Sequence, residues 1–87
     1  MMRQGLEIDS AGTKRWFKDG LLHREDGPAV EWFNVDKWWY IDGKLHREDG
    51  PAIEYYSGYI LWYINGKTVR CKTNEEFLRL MKLKAFL

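Results

Sequence analysis

The chain has 87 residues, of which 16% are aromatic, and its formal net charge is +1. A chain of this length forms one domain with one modest core, and a near-neutral charge argues against nucleic acid as a partner. The single cysteine, Cys71, excludes an internal disulfide and favours a cytoplasmic location. We expect no signal peptide and no transmembrane segment, because no apolar run approaches the roughly 20 residues that span a membrane.

Short strands separated by turns are the first predicted elements. Alternating and aromatic-rich runs predict strands at 6–9, 14–18, 29–33, 37–41, 52–56 and 59–64. Tight hairpin turns are predicted at three pairs whose two residues both adopt positive φ, namely Asp19-Gly20, Asp42-Gly43 and Asn65-Gly66. Turns at the other edge are predicted at Asn34-Val35-Asp36 and Ser57-Gly58. These elements predict a mainly β fold, an antiparallel meander.

The alternation of side chains predicts which face of each strand is buried. Along a strand, residues two apart share a face. The core face is therefore predicted to hold Leu6, Ile8, Val30, Trp32, Ile53 and Tyr55, and the opposite face Glu7, Glu31 and Glu54. The aromatic strands are apolar on both faces, as at Trp38 and Trp39, so some rings are expected to remain exposed.

Two motifs recur at a step of 23 residues. The heptapeptide HREDGPA occupies 23–29 and again 46–52, and the pattern W-[FY]-x-[DN]-G begins at Trp16, Trp39 and Trp62. Such a period predicts a row of β-hairpin repeats with degenerate terminal copies. We expect a repeat body over residues 1–72, with units beginning at 16, 39 and 62 and a partial unit at 6–15.

The end of the chain changes to a helical period. Thr73 and Glu76 fit a capping box at N-cap and N3, and Phe77 and Leu80 share one helical face. This pattern predicts one C-terminal α-helix from Asn74 to about Phe86. The segment 73–87 is expected to pack on the sheet and to cover an edge or face that invites aggregation when left open.

The repeat unit resembles a known class of short aromatic and glycine-containing repeats. Over about residues 14–66, the step of 23 and the aromatic-x-x-Gly element are similar to MORN-like repeats. The HREDGPA string resembles repeats of uncharacterised phage and giant-virus proteins. This resemblance implies β-hairpin arrays that act mainly as scaffolds, lipid-associated modules or binding partners, and it implies a host-cell cytoplasmic location for a viral protein.

The HREDGPA motif is interpreted as a turn rather than as a catalytic or metal site. His23 and Glu25 share a face and offer too few ligands for zinc unless the second copy contributes from a neighbouring hairpin, and no nucleophile recurs with them. We therefore predict no enzyme activity, no cofactor and no metal. We expect a chain reversal at Gly27 and Gly50 through unusual φ, and backbone N–H groups that donate to Asp26 and Asp49. Arg24 and Arg47 are expected to pair with Glu31, Glu54 or a carboxylate of an adjacent unit. His23 and His46 are expected to form hydrogen bonds with the neighbouring turn.

The first functional hypothesis is a small non-enzymatic protein that binds and inhibits a host protein, for example a component of a defence system. Aromatic and arginine side chains dominate many interfaces. The candidate binding residues are Trp39, Tyr40, Trp62, Tyr63, His23, Arg24, Glu25, His46, Arg47 and Glu48.

Two alternatives remain. The chain could sequester a nucleotide signal, with rings stacked on the base and phosphate bound by Arg24, Arg47 or Lys44. It could instead be a structural module that contacts nucleic acid or a membrane through a basic tail, composed of Lys67, Arg70, Lys72, Arg79, Lys82 and Lys84. A sheet with two open edges is also compatible with a homodimer.

Overall fold

The computed structural model describes residues 1–83. Within them the chain forms ten short strands followed by one helix. The strands are β1 (Gly5–Ile8), β2 (Lys14–Lys18), β3 (Leu21–Leu22), β4 (Val30–Glu31), β5 (Lys37–Trp38), β6 (Tyr40–Ile41), β7 (Lys44–Leu45), β8 (Ile53–Glu54), β9 (Ile60–Ile64) and β10 (Lys67–Val69), and the helix is α1 (Asn74–Leu83).

The strands form an antiparallel meander, which confirms the predicted fold class. The main sheet has the order β1-β2-β4-β5-β8-β9-β10, with β3 paired to β2, and β6 and β7 form a separate hairpin. The molecule is a flat slab of 39 × 30 × 18 Å. The predicted strand 37–41 is divided at Trp39, and the predicted strands 29–33 and 52–56 contract to two residues each.

Tight turns join the hairpins at the positions predicted from the Asp-Gly and Asn-Gly pairs. Asp42 and Gly43 have φ of 49° and 79°, and the other two pairs differ from these values by at most one degree. Both residues of each pair thus adopt the positive φ of a type I′ turn. The second and third turns also bond to the preceding hairpin, since the N–H of Gly43 donates to the carbonyl of Leu22 and that of Gly66 to the carbonyl of Leu45, both at 2.8 Å.

The largest buried cluster lies where the helix meets the end of the sheet. Trp62, Ile64, Val69 and Phe77 form this cluster, and each is less than one-tenth exposed. The helix begins as predicted, because the Thr73 hydroxyl accepts the N–H of Glu76 at 3.1 Å. The prediction that the helix continues to about Phe86 lies outside the described residues. Within residues 1–83, no helix is long and apolar enough to cross a membrane.

The predicted buried face is correct for β4 and β8 but wrong for β1. Val30 and Ile53 are buried, whereas Leu6 and Ile8 are 47% and 57% exposed. The strand pairing gives the reason. Glu7 pairs with Arg15, and Val30 pairs with Trp38, which is the residue 23 positions after Arg15. Glu7 therefore occupies the inward position of Val30, and a shift of one residue turns a strand over.

Candidate functional site

One arginine organises each HREDGPA segment. Arg47 donates from Nε to the Asp49 carboxylate at 2.9 Å and from Nη1 to the carbonyl of Pro51 at 3.1 Å and to the Glu54 carboxylate at 2.9 Å. Arg24 makes the corresponding bonds, at 3.0, 3.1 and 3.4 Å, to Asp26, Pro28 and Glu31. We call each of these arrangements an arginine joint. It holds both ends of the segment together through charge-assisted hydrogen bonds.

The guanidinium of each joint also lies over a tryptophan ring. The distance from Cζ to the ring centroid is 3.9 Å for Arg24 over Trp16 and for Arg47 over Trp39. This geometry gives a cation–π contact with the aromatic motif of the same unit. The predicted pairing with Glu31 and Glu54 is confirmed within each unit.

The prediction that Asp26 and Asp49 accept backbone N–H bonds is wrong. Both carboxylates accept from the arginine Nε of their own segment. A guanidinium donor competes well for a nearby carboxylate because the hydrogen bond is charge-assisted on both sides.

The glycines of the joint are needed for space and not for unusual φ. Gly27 and Gly50 do not have positive φ. A Cβ atom at either position would lie 2.9 Å from Cζ of the joint arginine, closer than atoms in van der Waals contact. The sequence prediction of a reversal at these glycines assigned the wrong cause. The arginine side chain fills the space that a side chain at residue 27 or 50 would take.

Each histidine links its unit to the next tight turn, as predicted. Nδ1 of His23 accepts the N–H of Asp42 at 2.9 Å, and Nδ1 of His46 accepts that of Asn65 at 3.0 Å. A backbone N–H can only donate, so Nδ1 carries no proton and the neutral ring is protonated at Nε2. For the same reason the 3.3 Å approach of Asp42 Oδ1 to Nδ1 of His23 is not an ion pair.

The two histidines differ at their second nitrogen. Nε2 of His46 lies 3.0 Å from the Glu48 carboxylate and donates to it. Nε2 of His23 is buried and has no hydrogen-bond partner among residues 1–83. Glu25, the counterpart of Glu48, therefore lines the adjoining groove without a hydrogen bond of its own there.

A groove of about 810 Å³ runs between the two arginine joints. We call it the HRED groove, and its lining residues are Arg24, Glu25, Asp26, Gly27, Pro28, Trp39, Ile41, His46, Arg47, Glu48 and Asp49. The lining holds four carboxylates and two guanidiniums, and both guanidiniums already bind carboxylates. A phosphate would have to displace these carboxylates inside a groove of negative charge, which disfavours the nucleotide hypothesis at this place.

Most of the predicted aromatic contacts serve the fold. Trp62 is 4% exposed, and its indole N–H donates to Asn74 at 3.1 Å. The ring is part of the buried cluster, and its role in binding stays a prediction. Trp39 lies under Arg47. Tyr40 and Tyr63 are half-buried. Burial is the main cause that raises the pKa of the Tyr40 hydroxyl, and the charge of the nearby Tyr63 is the second.

The basic tail remains at the surface as far as it is described. Lys67, Arg70, Lys72 and Lys82 are exposed, and Arg79 lies 3.8 Å from Glu75 in an exposed i, i+4 pair. Lys84 lies outside the described residues. Exposed pairs of this kind contribute little to stability.

An exposed apolar surface was missed by the sequence patterns. It consists of four side chains in or beside two turns. Their exposed fractions are 68% for Phe33, 59% for Val35, 77% for Tyr56 and 63% for Tyr59. We call these four residues the aromatic turn edge. The turns are joined, because the Asp36 carboxylate accepts the N–H of Tyr56.

Val35 is the unusual residue of this edge. Its φ is 68°, a value that β-branched residues rarely adopt. The positions 23 residues before and after it are Gly12 and Gly58, with φ of 93° and 95° and the same backbone hydrogen bond across the turn. This substitution of valine for glycine at the 23-residue step was the sequence signal that could have identified the surface.

No metal centre is formed by the part of the chain that is described. Within residues 1–83, no group of three or more His, Cys, Asp or Glu side chains is placed to hold a metal ion. Comparisons of the chain with protein-family models, curated proteins and solved structures gave no match.

Proposed function

We propose that this chain is a small non-enzymatic binding protein of the phage or viral type, which binds and inhibits a host protein through the aromatic turn edge. The observation that carries the proposal is Val35, a strained and exposed residue at a position where neighbouring units have glycine. A non-glycine residue held in this conformation costs about 1 to 3 kcal/mol.

The side chain of Val35 is mostly outside the fold of residues 1–83. Its side chain is 59% exposed, and Gly12 and Gly58 form the same turn without the cost. Strained residues persist preferentially at sites that have a function. The valine side chain is therefore best explained by a contact outside the chain.

The rest of the edge has the composition and rigidity of a protein contact. Exposed rings of Phe33, Tyr56 and Tyr59 supply large apolar areas, and such rings often dominate interface energy. Tyr59 is stacked against Tyr55 with ring centroids 6.0 Å apart. The Thr13 hydroxyl accepts the N–H of Phe33 at 3.3 Å. A surface held in this way loses little conformational entropy on binding.

The class of partner rests on the resemblance of the HREDGPA repeats to those of phage and giant-virus proteins. By analogy with proteins of such origin, the proposed target is a host component in the cytoplasm, for example part of a defence system. The HRED groove is a second surface for the same partner. It offers four carboxylates to that partner, Glu25 and Asp26 from one unit and Glu48 and Asp49 from the next.

The experiment is capture of partners from a lysate of host cells by the tagged chain, followed by titration of the purified partner. The double variant Phe33→Ser/Tyr56→Ser should lose the partner while its thermal unfolding stays unchanged. Leu78→Ser is the matched control, since Leu78 is 43% exposed on the helix. Equal retention by both variants would remove the aromatic turn edge from the proposal. A co-purifying nucleotide without a protein would favour the sequestering alternative instead.

A further inference from the structure

The third repeat unit cannot form an arginine joint. Arg70 follows Arg47 by 23 residues, but the partners of Arg47 are replaced. Lys72 stands in place of Asp49, Thr73 in place of Gly50 and Phe77 in place of Glu54. The carboxylates that hold the guanidinium and the space that receives it are therefore both missing.

The tryptophan of the third unit is covered by the helix instead of by arginine. The ring of Phe77 packs against Trp62 with centroids 6.2 Å apart. Arg70 and Lys72 are exposed, and neither side chain has a hydrogen bond or ion pair with any of residues 1–83. The change of sequence thus leaves two cations that are unpaired among residues 1–83.

These two cations line a cavity of about 580 Å³ between the β9–β10 hairpin and the start of the helix. Its lining comprises Gly58, Tyr59, Ile60, Leu61, Trp62, Thr68, Val69, Arg70, Cys71, Lys72 and Glu76. Apolar side chains make up much of the wall. Burial, and secondly the charge of Glu76, raises the pKa of the Cys71 thiol, so the thiol stays protonated at neutral pH and adds to the apolar lining.

We propose that this cavity is a binding site for a small amphipathic anion, with the apolar body against Ile60 and Val69 and the acidic group between Arg70 and Lys72. Sites for small ligands commonly combine an apolar wall with a few charged groups that fix orientation. The Glu76 carboxylate also lines the cavity, where it accepts the backbone N–H of Lys72 at 3.3 Å and forms no ion pair with the side chain of Arg70 or Lys72. The site is distinct from the HRED groove, and of the aromatic turn edge it includes Tyr59.

Octanoate tests the site because it has an apolar chain and one carboxylate. Titration of the 15N-labelled chain should shift the indole signal of Trp62 and the amide signals of Val69 and Cys71 in one saturable process. Octylammonium has the same chain with the opposite charge, and acetate has the charge without the chain. Both should bind at least about tenfold more weakly, a difference of about 1.4 kcal/mol.

A double variant tests the role of the two cations. Arg70→Gln/Lys72→Gln should weaken octanoate binding by at least about tenfold, and the control Lys18→Gln/Lys37→Gln, which changes exposed lysines of β2 and β5, should stay within about twofold. Thermal unfolding checks that the variants are folded. If the double variant does not fold, the octanoate affinity of the unsubstituted protein is measured in high salt instead. Salt screens the charges of Arg70 and Lys72, so the affinity should fall.

Three results would overturn the proposal. These are equal binding of octylammonium and octanoate, unchanged octanoate affinity of Arg70→Gln/Lys72→Gln, and signal shifts spread over the sheet instead of the cavity. Any of them would mean that the apolar wall, or the surface in general, binds without recognition of charge.

Discussion

The guanidinium carbon of Arg47 lies 3.9 Å from the ring centroid of Trp39. This contact joins the two repeated motifs, since Trp39 begins the aromatic pattern and Arg47 is the second residue of HREDGPA. The same contact joins Trp16 to Arg24. The repeated heptapeptide is therefore one half of a structural contact whose other half is the preceding tryptophan.

Arg47→Lys should lower the free energy of unfolding by about 2 kcal/mol, because an ammonium cannot replace the planar guanidinium on three acceptors and a ring. Urea unfolding followed by tryptophan fluorescence measures the change. Arg70→Lys is the matched control and should change stability by less than about 0.5 kcal/mol, since Arg70 is exposed. Equal effects at the two positions would contradict the role of the joint.

Gly50→Ala should destabilise the chain by about 1 to 3 kcal/mol, because the added methyl group would collide with the Arg47 guanidinium. The effect should nearly vanish when Gly50→Ala is made together with Arg47→Ala. Unfolding free energies of the two single variants and the double variant form a cycle that measures this coupling. Additive effects would show that the glycine is needed for another reason.

Val35→Asn should stabilise the chain by about 1 kcal/mol, because asparagine tolerates positive φ better than a β-branched residue. Phe33→Ser, in the same turn, removes exposed apolar surface without a change of φ and should leave stability nearly unchanged. Thermal unfolding of both variants measures the strain directly. A lower unfolding temperature for Val35→Asn would mean that valine contributes to the fold at this position.

Asp9→Asn should destabilise the chain at neutral pH and lose this effect in acid. The hydrogen bond from Arg15 holds the pKa of the Asp9 carboxyl below its ordinary value of 3.8, and the amides of Thr13 and Ala11 lower it further. The stabilising contribution is complete above 3.8 and disappears as the pH falls through the lower folded-state value.

Unfolding temperatures of the original chain and of Asp9→Asn from neutral pH to acid measure this effect. Glu25→Gln serves as the control, since Glu25 has no hydrogen bond or ion pair with any of residues 1–83. A difference between the original chain and Asp9→Asn that does not change with pH would contradict the assignment.

The turns and the helix start could be predicted because they depend on neighbours in the sequence. Asn65 and Gly66 form a tight turn through their own φ preferences, and Thr73 caps the helix through a bond to Glu76. The buried face of β1 could not be predicted in this way. Alternation places Leu6 with Ile8, but only the pairing of Glu7 with Arg15 decides which face points inward.

The candidate site was predictable in its residues but not in its geometry. The repetition of HREDGPA identifies Arg24 and Arg47, and their glutamate partners lie at the expected distance along the chain. The ring under each guanidinium and the space at Gly50 depend on three-dimensional packing. The strain at Val35 requires the φ angle, which the sequence pattern alone does not provide.

Phe77 and Glu7 lie at the two sides of the row of hairpins. Phe77 ends the row at one side, because it takes the position of the joint glutamate and covers Trp62. At the other side Glu7 places a charge at the inward position of Val30, which discourages a further strand. Between these ends each unit contacts its neighbours through the same bonds, so insertion of one more 23-residue segment should lengthen the slab and leave both ends unchanged.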